Sequence, residues 1–453
     1  MGTVHAKEPD GSVMEESKKT FDLQNLPAKV QRVVVDGLGR TKDDLIVKEV
    51  QPIFEAKTFE DMVKLSQEVK LKLERLQLFK HISVLIDTCR GKGSSPNGYE
   101  VLFEVRESRP VTGGINTLIG NNDASLLFGI KFPNIYGRGE RLQADYTHGT
   151  KQVRGYNVSF TKPINANPDV LFGCGLYQYH GEYPWSGYKE LDRGILFDLT
   201  FPSTIGTHSL KWEGVWRDLR ALSRTTSFAV REQAGHSIKS SLKHIYLRDG
   251  RDDPILPSRG TLLRVTQEYA GIGGSVEFAK QDVELQYNQS LLWDTVLQFS
   301  GAFGIMKSLN TKNDIKINDR FFLGGPLTLR GFNLKGVGPH SDGNALGADA
   351  YWLCAAHVYT PLPFRPGKGG FGDLFRTHFF VNAGNLGNIS LNNNVRENFW
   401  RMAETFRWAY GGGIVLRMGS IARMELNYVI PVQLQRGDSV NPGLQFGIGL
   451  SFL

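Results

Sequence analysis

The chain has 453 residues, which is long enough for one large core or for two domains. Lys and Arg total 53 against 46 Asp and Glu, and the net charge of +7 is diffuse, without the basic block interleaved with aromatics that a nucleic-acid partner requires. No run approaches the roughly 18 apolar residues of a membrane-spanning helix, whereas the mean hydropathy of −0.27 still permits a β-barrel wall, whose lipid-facing residues alternate with polar ones.

The first segment, residues 1–27, is polar and is predicted to be disordered. It has no apolar export signal and no Arg-rich, acid-poor transit pattern. A bacterial outer-membrane barrel needs an export signal unless that signal has already been removed. A barrel with this N-terminus is therefore expected to enter its membrane from the cytosol, as mitochondrial outer-membrane barrels do.

Residues 28–108 predict a small α+β domain of two layers. The second of its two predicted helices carries apolar residues at spacings of three and four, which favours one buried face. The predicted elements are a strand over 30–35, a helix capped at Thr41 and running toward Phe54, a helix starting at Thr58, and strands over 81–87 and 99–105. Their order is β-α-α-β-β.

After Pro110 the helical periodicity almost disappears, and short alternating stretches with turn signals continue to the end. Residues 109–453 therefore predict a 16-stranded antiparallel transmembrane β-barrel, so that the chain as a whole is mainly β. The predicted strands cover 112–120, 124–133, 140–148, 154–163, 169–180, 192–202, 207–217, 236–247, 260–270, 276–288, 293–304, 349–358, 376–384, 407–417, 421–430 and 443–452.

The predicted connections differ in length between the two ends of this barrel. Those after even-numbered strands are mostly short, as at 134–139 and 203–207, whereas several after odd-numbered strands are longer, including 218–235 and 305–348. Short turns at one end and long loops at the other are typical of a transmembrane barrel. A soluble all-β scaffold or enzyme, which is one alternative, has no reason to show this bias.

The longest predicted loop, 305–348, contains two glycines followed by Leu329, Arg330, Gly331 and Phe332. Gly331 allows the chain to turn so that Arg330 projects as a planar, permanently charged fork. A guanidinium inside a barrel needs acceptors, such as an inward carboxylate and carbonyl groups. A solvated surface loop with an incidental arginine fits the pattern alone equally well.

These residues resemble the loop signature of the barrel-assembly superfamily that includes bacterial BamA, in which the loop folds into the lumen and its Arg docks on the inner wall. Residues 252–260 resemble the superfamily's Asp-x-Pro…Pro-x-Arg-Gly turn, and residues 28–108 resemble a polypeptide-transport-associated (POTRA) domain, whose helix-to-strand signature falls at 76–79. The resemblance covers 28–453. With a single domain of this kind and no export signal, the chain resembles the barrel subunits of mitochondrial sorting and assembly machineries, of animal type.

One position departs from this resemblance. Members commonly carry an acid in a Phe-x-Asp-x-Gly strand that receives the loop Arg, whereas Asn382 occupies that position in 380–384. An amide accepts a hydrogen bond but cannot neutralise a charge. The partner of Arg330 is therefore expected elsewhere, and Glu425 is the candidate, because its apolar neighbours occupy the other face of the strand.

The C-terminal strand matches the polar-x-Gly-apolar-x-apolar-x-apolar signal that mitochondrial barrels use for their own insertion. The matching residues are Gln445, Gly447, Ile448, Leu450 and Phe452. Ordinary barrel alternation supplies most of this pattern, but the glycine and the position at the end of the barrel favour the signal.

The resemblance implies a non-enzymatic insertase for β-barrel precursors in the mitochondrial outer membrane, acting through a lateral seam between first and last strands. Both termini would face the intermembrane space. The first strand contains Gly113, Gly114 and Gly120, and glycine in a strand interior weakens the strand. These glycines and Asn116 are predicted to lie at the seam. A passive porin or protein-secretion pore of the same architecture is the main alternative.

No catalytic pattern is present, since the histidines are scattered and the three cysteines are widely separated. No cofactor, metal or nucleic acid is therefore expected. The expected partners are β-barrel precursors, accessory subunits of an outer-membrane assembly complex, inner-membrane contact-site proteins and membrane lipids.

Overall fold

The computed structural model describes residues 26–89, 95, 97–120, 123–149, 152–310, 314–362, 371–389, 395–419 and 421–453. The chain separates into two compact units that divide between Ser108 and Arg109. Most of the segment predicted to be disordered, 1–27, lies outside the described residues. No helix in the described ranges is both long enough and apolar enough to cross a membrane.

The first unit is a three-stranded sheet with two α-helices. Its elements are β1 (Lys29–Asp36), α1 (Asp43–Val50), a 3-10 turn (Gln51–Glu55), α2 (Phe59–Arg75), β2 (Phe79–Thr88) and β3 (Gly98–Glu107). The sheet order is β1-β3-β2, with β1 parallel to β3. Its core is formed by buried apolar residues from both layers, including Ile53, Met62, Leu73, Val101 and Phe103.

The two helices begin differently from one another. The Thr58 hydroxyl accepts a hydrogen bond from the Asp61 N–H at 3.1 Å, so the predicted start of α2 is confirmed. The predicted cap at Thr41 is wrong, because the N-cap of α1 is Lys42 and no side chain caps it. Instead, the Thr41 N–H donates to the Glu107 carboxylate at 2.8 Å.

Glu107 also accepts hydrogen bonds from the backbone N–H groups of Gly39 and Arg40. Partial burial alone would raise the pKa of Glu107, but the hydrogen bonds from Thr41, Gly39 and Arg40 outweigh it and lower the pKa from 4.5 to about 2. The ionised carboxylate therefore stabilises this unit above pH 4.5, and that stabilisation is lost as the pH falls toward 2.

We expect Glu107→Gln to remove this component of the acid sensitivity of the first unit. The test is hydrogen exchange of the β1 and β3 amides in the full chain. Protection factors are measured once above pH 4.5 and once midway between the ordinary pKa of 4.5 and the lowered pKa of about 2. Glu104→Gln changes an exposed carboxylate on the same strand and is the matched control. Equal acid sensitivity of the wild-type and Glu107→Gln chains would contradict this role.

The second unit is a single large antiparallel sheet of sixteen strands, which confirms the predicted fold class. The strands are β4 (Thr112–Gly120), β5 (Asp123–Pro133), β6 (Arg141–Gly149), β7 (Arg154–Pro163), β8 (Leu171–Tyr183), β9 (Tyr188–Pro202), β10 (Thr207–Ala221), β11 (Gly235–Asp249), β12 (Gly260–Gly274), β13 (Phe278–Ser290), β14 (Val296–Ser308), β17 (Ala350–Pro361), β18 (Phe375–Gly387), β19 (Arg407–Met418), β20 (Ala422–Gln433) and β21 (Gly443–Gly449), where β15 (His340–Ser341) and β16 (Asn344–Ala345) form a separate small hairpin. Short helices α3 (Phe228–Arg231) and α4 (Val395–Glu404) lie in connections.

The wall is apolar outside and polar inside, which is the arrangement of a transmembrane barrel. On β20, Leu426 and Tyr428 are 50% and 57% exposed, whereas Glu425 and Asn427 are 1% and 2% exposed. The same alternation buries polar side chains such as Gln298 on other strands. Successive side chains of a strand point to opposite faces, and this alternation places the polar side chains inside the barrel and the apolar ones outside.

Most predicted strand ends differ from the observed ones by a few residues; for example, the predicted connection 218–235 covers 222–234, because β10 continues to Ala221. Two further differences concern the long connection and the last strand. The long connection covers 309–349 rather than 305–348, because β14 continues to Ser308. The last strand ends at Gly449 rather than at 452, because the chain beyond it leaves the sheet. Loop lengths follow the predicted bias only in part. When β4 is counted as the first strand of the barrel, the two longest connections, 309–349 and 388–406, follow odd-numbered strands. The connection 275–277 also follows an odd-numbered strand, but it is short.

Candidate functional site

Residues 314–349 of the connection 309–349, hereafter the inserted loop, pack inside the barrel. Its apolar residues Leu323, Leu329 and Phe332 are buried and share a core cluster with inward side chains such as Phe278 and Leu353. Polar contacts fix the loop to the wall at several places, and two of them are buried ion pairs, one at Arg330 and one at Asp319.

Arg330 is fully buried and makes its main ion pair with Glu425 of β20. Its Nη2 lies 2.9 Å from Glu425 Oε2, its Nε lies 3.3 Å from the same oxygen, and its Nη1 donates to the main-chain oxygen of Leu453 at 2.8 Å. The guanidinium carbon also lies 4.9 Å from the centre of the Phe380 ring. All three nitrogens of the guanidinium therefore have acceptors, as burial of the charge requires.

A second arginine shares the same carboxylate. Arg423 Nη2 lies 3.1 Å from Glu425 Oε1, and the Asn427 amide donates to Glu425 Oε2 at 3.0 Å. The Arg423 guanidinium also packs at 4.2 Å over the ring of Phe452. One buried carboxylate thus serves two buried guanidinium groups, which makes Glu425 the centre of the cluster.

Asn382 holds the backbone of the loop rather than the guanidinium. In the amide orientation that satisfies both of its ends, Asn382 accepts from the Arg330 N–H at 2.6 Å and donates to the Ala409 carbonyl at 2.8 Å. The next residue, Gly331, has a φ of +92°, and a Cβ there would lie 3.3 Å from side-chain atoms of Val429. Only glycine fits this close, left-handed turn without strain.

The loop is also tied to the last strand and to the segment before it. Gln445 uses both ends of its amide, accepting from the Gly331 N–H at 3.0 Å and donating to the Phe332 carbonyl at 3.1 Å. Phe332 forms an antiparallel bridge with Val440. Backbone hydrogen bonds such as Leu453 N–H to the Leu327 carbonyl, 3.0 Å, extend this attachment.

The apolar residues of the predicted C-terminal signal, Ile448, Leu450 and Phe452, do not all lie on the same face of the last strand. Leu450 is 54% exposed, but Phe452 is 3% exposed and lies inside, under the Arg423 guanidinium. The continued alternation expected for Phe452 is therefore wrong, because residues 450–453 fold toward the inserted loop. Gly447 permits this approach, since a Cβ there would lie 3.1 Å from Pro326 and 3.2 Å from the Phe452 ring.

The second attachment of the loop was not predicted. Asp319 accepts two hydrogen bonds from the Arg217 guanidinium of β10, at 2.8 and 3.0 Å, and its carboxylate lies 3.6 Å from Lys239 of β11. Lys239 in turn pairs with Glu268 at 2.8 Å. In the sequence, this attachment is indicated only by charged residues at inward positions of the predicted strands. Strand pairing alone does not show which loop residue these charges bind.

The glycine-rich first strand and the last strand are the two edges of the sixteen-stranded sheet. Gly113, Gly114, Asn116 and Gly120 all lie on β4, which pairs with β5 over its whole length. Some Cα atoms of β4 and β21 approach within 8 Å, so the two edges of the sheet lie next to each other.

A family model and the related sequences assign the chain to the same family. The Omp85 superfamily domain matches residues 134–452. The Sorting and assembly machinery component 50 homologs of Xenopus tropicalis and Homo sapiens are each 48% identical to this chain, and each alignment covers 100% of both sequences.

A solved structure has the same fold at low sequence identity. BamA from Haemophilus ducreyi lacking POTRA domains 1–3 superposes with a TM-score of 0.75 at 18% identity, covering 93% of this chain and 84% of that one. The predicted family resemblance is confirmed. The chain belongs to the Omp85 superfamily and, within it, to the family of the Sorting and assembly machinery component 50 homologs.

Proposed function

We propose that this chain is a non-enzymatic insertase that assembles β-barrel precursors into the mitochondrial outer membrane. A precursor strand in lipid has unpaired N–H and C=O groups, each of which costs several kcal/mol. A catalyst of insertion must therefore offer a temporary edge for pairing. The names of the relatives and the barrel fold support this assignment.

The position of β4 and β21 at the two edges of the sheet is the observation on which the proposed mechanism depends. Within the sheet, neighbouring strands are joined by long ladders, for example thirteen residue pairs between β13 and β14. Glycine in a strand interior weakens pairing, and β4 and β21 both carry several glycines, so the seam between them is the place where a lateral opening needs the least free energy. The last strand of a precursor would pair with β4 by β-augmentation.

The inserted loop supports a division of roles between the two edges. Gln445 and Val440 connect the loop to β21 and its preceding segment, and Arg330 reaches Leu453. In this proposal the loop holds β21 in place, and β4 is the edge that accepts precursors. The first unit would act as a POTRA-like domain that receives or releases precursors, and the partners would be precursors, accessory subunits and contact-site proteins.

Locking the seam is expected to stop precursor insertion. In a background without Cys89, Cys174 and Cys354, one cysteine replaces Asn116 and a second is placed at a facing position of β21. Oxidation should halt assembly of a radiolabelled precursor barrel in isolated mitochondria, and reduction should restore it, because the disulfide prevents the edges from separating.

The control is Val265→Cys with Val283→Cys, which are direct partners across β12 and β13. A disulfide there leaves the seam free and should have little effect. Normal insertion by the locked seam would reject lateral opening and favour the alternative, a passive porin or secretion pore of this architecture.

Both termini are expected to face the intermembrane space, since an even number of strands places the first unit and Leu453 on the same side of the membrane. Protease added to intact mitochondria should spare residues 28–108 and cleave, if anywhere, in connections of the opposite side such as 222–234. Cleavage within 28–108 before the outer membrane is ruptured would contradict this topology.

A further inference from the structure

A groove of about 620 Å³ lies on the outer wall across β7 to β11. The residues of its apolar part are ladder partners on three consecutive strands, namely Val158, Leu176 and Ile195. Two positions further toward the 222–234 connection, the next row of ladder partners contains Gln178, Arg193 and Trp216. Of the residues that line the groove, Arg193 alone carries a formal charge, so the groove joins an apolar surface to a single cation.

The neighbouring rows of outward residues place Arg193 at the edge of the apolar band. On the membrane side of the groove, the next row of ladder partners contains Phe160, Cys174, Phe197, Trp212 and Leu242. On the other side of Arg193, the next row contains Arg154, His180, Leu191, Asp218 and His236. Successive rows are about 5 Å apart along the axis of a barrel with tilted strands. Arg193 therefore lies where hydrocarbon gives way to headgroups.

The Arg193 guanidinium is held in place but has no anion. Its Nε donates to Gln178 Oε1 at 2.9 Å, and its central carbon lies 5.5 Å from the centre of the Trp216 ring. Among the residues that the structure describes, no acceptor meets its two terminal nitrogens and no carboxylate pairs with it. Asp218, in the next row, pairs with Arg220 instead, at 2.6 Å. A fixed guanidinium with free donors favours an anion such as a phosphate.

The charges around the groove favour a lipid with a net negative charge. From the row of Arg193 toward the 222–234 connection, the described outward positions of β7 to β10 carry four cations and two carboxylates, namely Arg154, Lys189, Arg193, Arg220, Glu182 and Asp218. Such an excess of basic residues at headgroup depth attracts anionic lipids.

A phospholipid also matches the order of the two parts of the groove, because its phosphate lies at headgroup depth and its acyl chains run toward the membrane centre. A water-soluble anion would leave the apolar part without an occupant. We propose that the groove binds an anionic glycerophospholipid whose phosphate accepts hydrogen bonds from Arg193 and whose acyl chain lies along Leu176 and Ile195.

Phosphatidylglycerol with a diazirine in its acyl chain tests the proposal in phosphatidylcholine vesicles that contain the folded full chain. The expected crosslinks are at Leu176 and Ile195. Arg193→Gln should reduce them roughly tenfold, because the charge-assisted contact with the phosphate is lost. Leu176→Trp keeps the charge, fills the apolar part and should also reduce labelling at Ile195, so the test does not depend on one variant.

Arg154→Gln is the matched control, since it removes an exposed outward arginine one row beyond the groove. It should leave the labelling unchanged, and unlabelled phosphatidylglycerol should compete with the probe whereas inorganic phosphate should not. Equal labelling of the Arg193→Gln and Arg154→Gln chains, which would indicate lipid that only surrounds the barrel, would overturn the proposal. Competition by inorganic phosphate, which would indicate a site for a free anion, would overturn it too.

A photocrosslinking residue in place of Ile195, used in intact mitochondria, distinguishes a lipid from a protein occupant. A lipid adduct is expected, and a protein adduct in its place would contradict the proposal. The proposal rests on the membrane location included in the proposed function but not on the seam. Flotation of the vesicles separates the two: a chain that floats without labelling that depends on Arg193 rejects only the groove, whereas a wild-type chain that does not float rejects the membrane location itself.

Discussion

Glu425→Gln is expected to impair the barrel more than Arg330→Ala does. Glu425 is the shared carboxylate of two buried arginines, so its neutralisation leaves Arg330 and Arg423 facing each other without an anion. Removing one partner of a buried pair typically costs about 3–5 kcal/mol. Arg330→Ala leaves Glu425 paired with Arg423, and its effect should therefore be smaller, although the loop loses its link to Leu453.

The measurement is urea unfolding of the barrel in vesicles, together with assembly of a precursor barrel in mitochondria at matched protein abundance. Arg264→Ala is the control, because it removes an inward but half-exposed arginine whose pair with Glu284 involves no loop residue. Arg330→Lys should be intermediate, since it keeps the charge and loses the fork. A Glu425→Gln chain with wild-type stability and assembly would show that the cluster does not anchor the loop.

Arg217→Ala is expected to release the other end of the inserted loop. Both side chains of the Arg217–Asp319 pair are almost fully buried. Without Arg217, Lys239 at 3.6 Å would still face the Asp319 carboxylate, and Lys280 would still donate to the Asp319 carbonyl at 2.8 Å. We expect destabilisation of about 3–5 kcal/mol, as for other broken buried pairs. Asp319→Asn should have a smaller effect, because the amide oxygen still accepts from Arg217.

Trypsin provides a direct readout of this release, because Lys316 and Arg320 flank Asp319 on the loop. The wild-type barrel should resist cleavage at these two sites, and the Arg217→Ala barrel should be cut there while its strands remain protected. Arg264→Ala again serves as the control. Equal resistance of the Arg217→Ala and wild-type barrels would mean that Asp319 does not hold the loop.

Alternation along each strand explains why the sixteen strands and the inward position of Glu425 could be predicted. A period of two is a local property, and it is readable without knowledge of partners. The Arg217–Asp319 pair was missed because it depends on how a long loop folds inside the wall. Phe452 was misplaced for a related reason: the alternating pattern continues past Gly449, but contacts with the inserted loop draw the backbone out of the sheet.

The two buried ion pairs of the inserted loop also constrain how this chain reaches its own native state. Arg330 and Glu425 are 95 residues apart in sequence, and Asp319 and Arg217 are 102 apart. Such distant contacts give a high contact order, which slows folding because chain entropy is lost before the contacts form. A loop enclosed by the wall must enter before β4 reaches β21, so loop entry sets the order of folding. Weakened attachments should therefore lower the folding yield of newly made chains more than the lifetime of finished barrels.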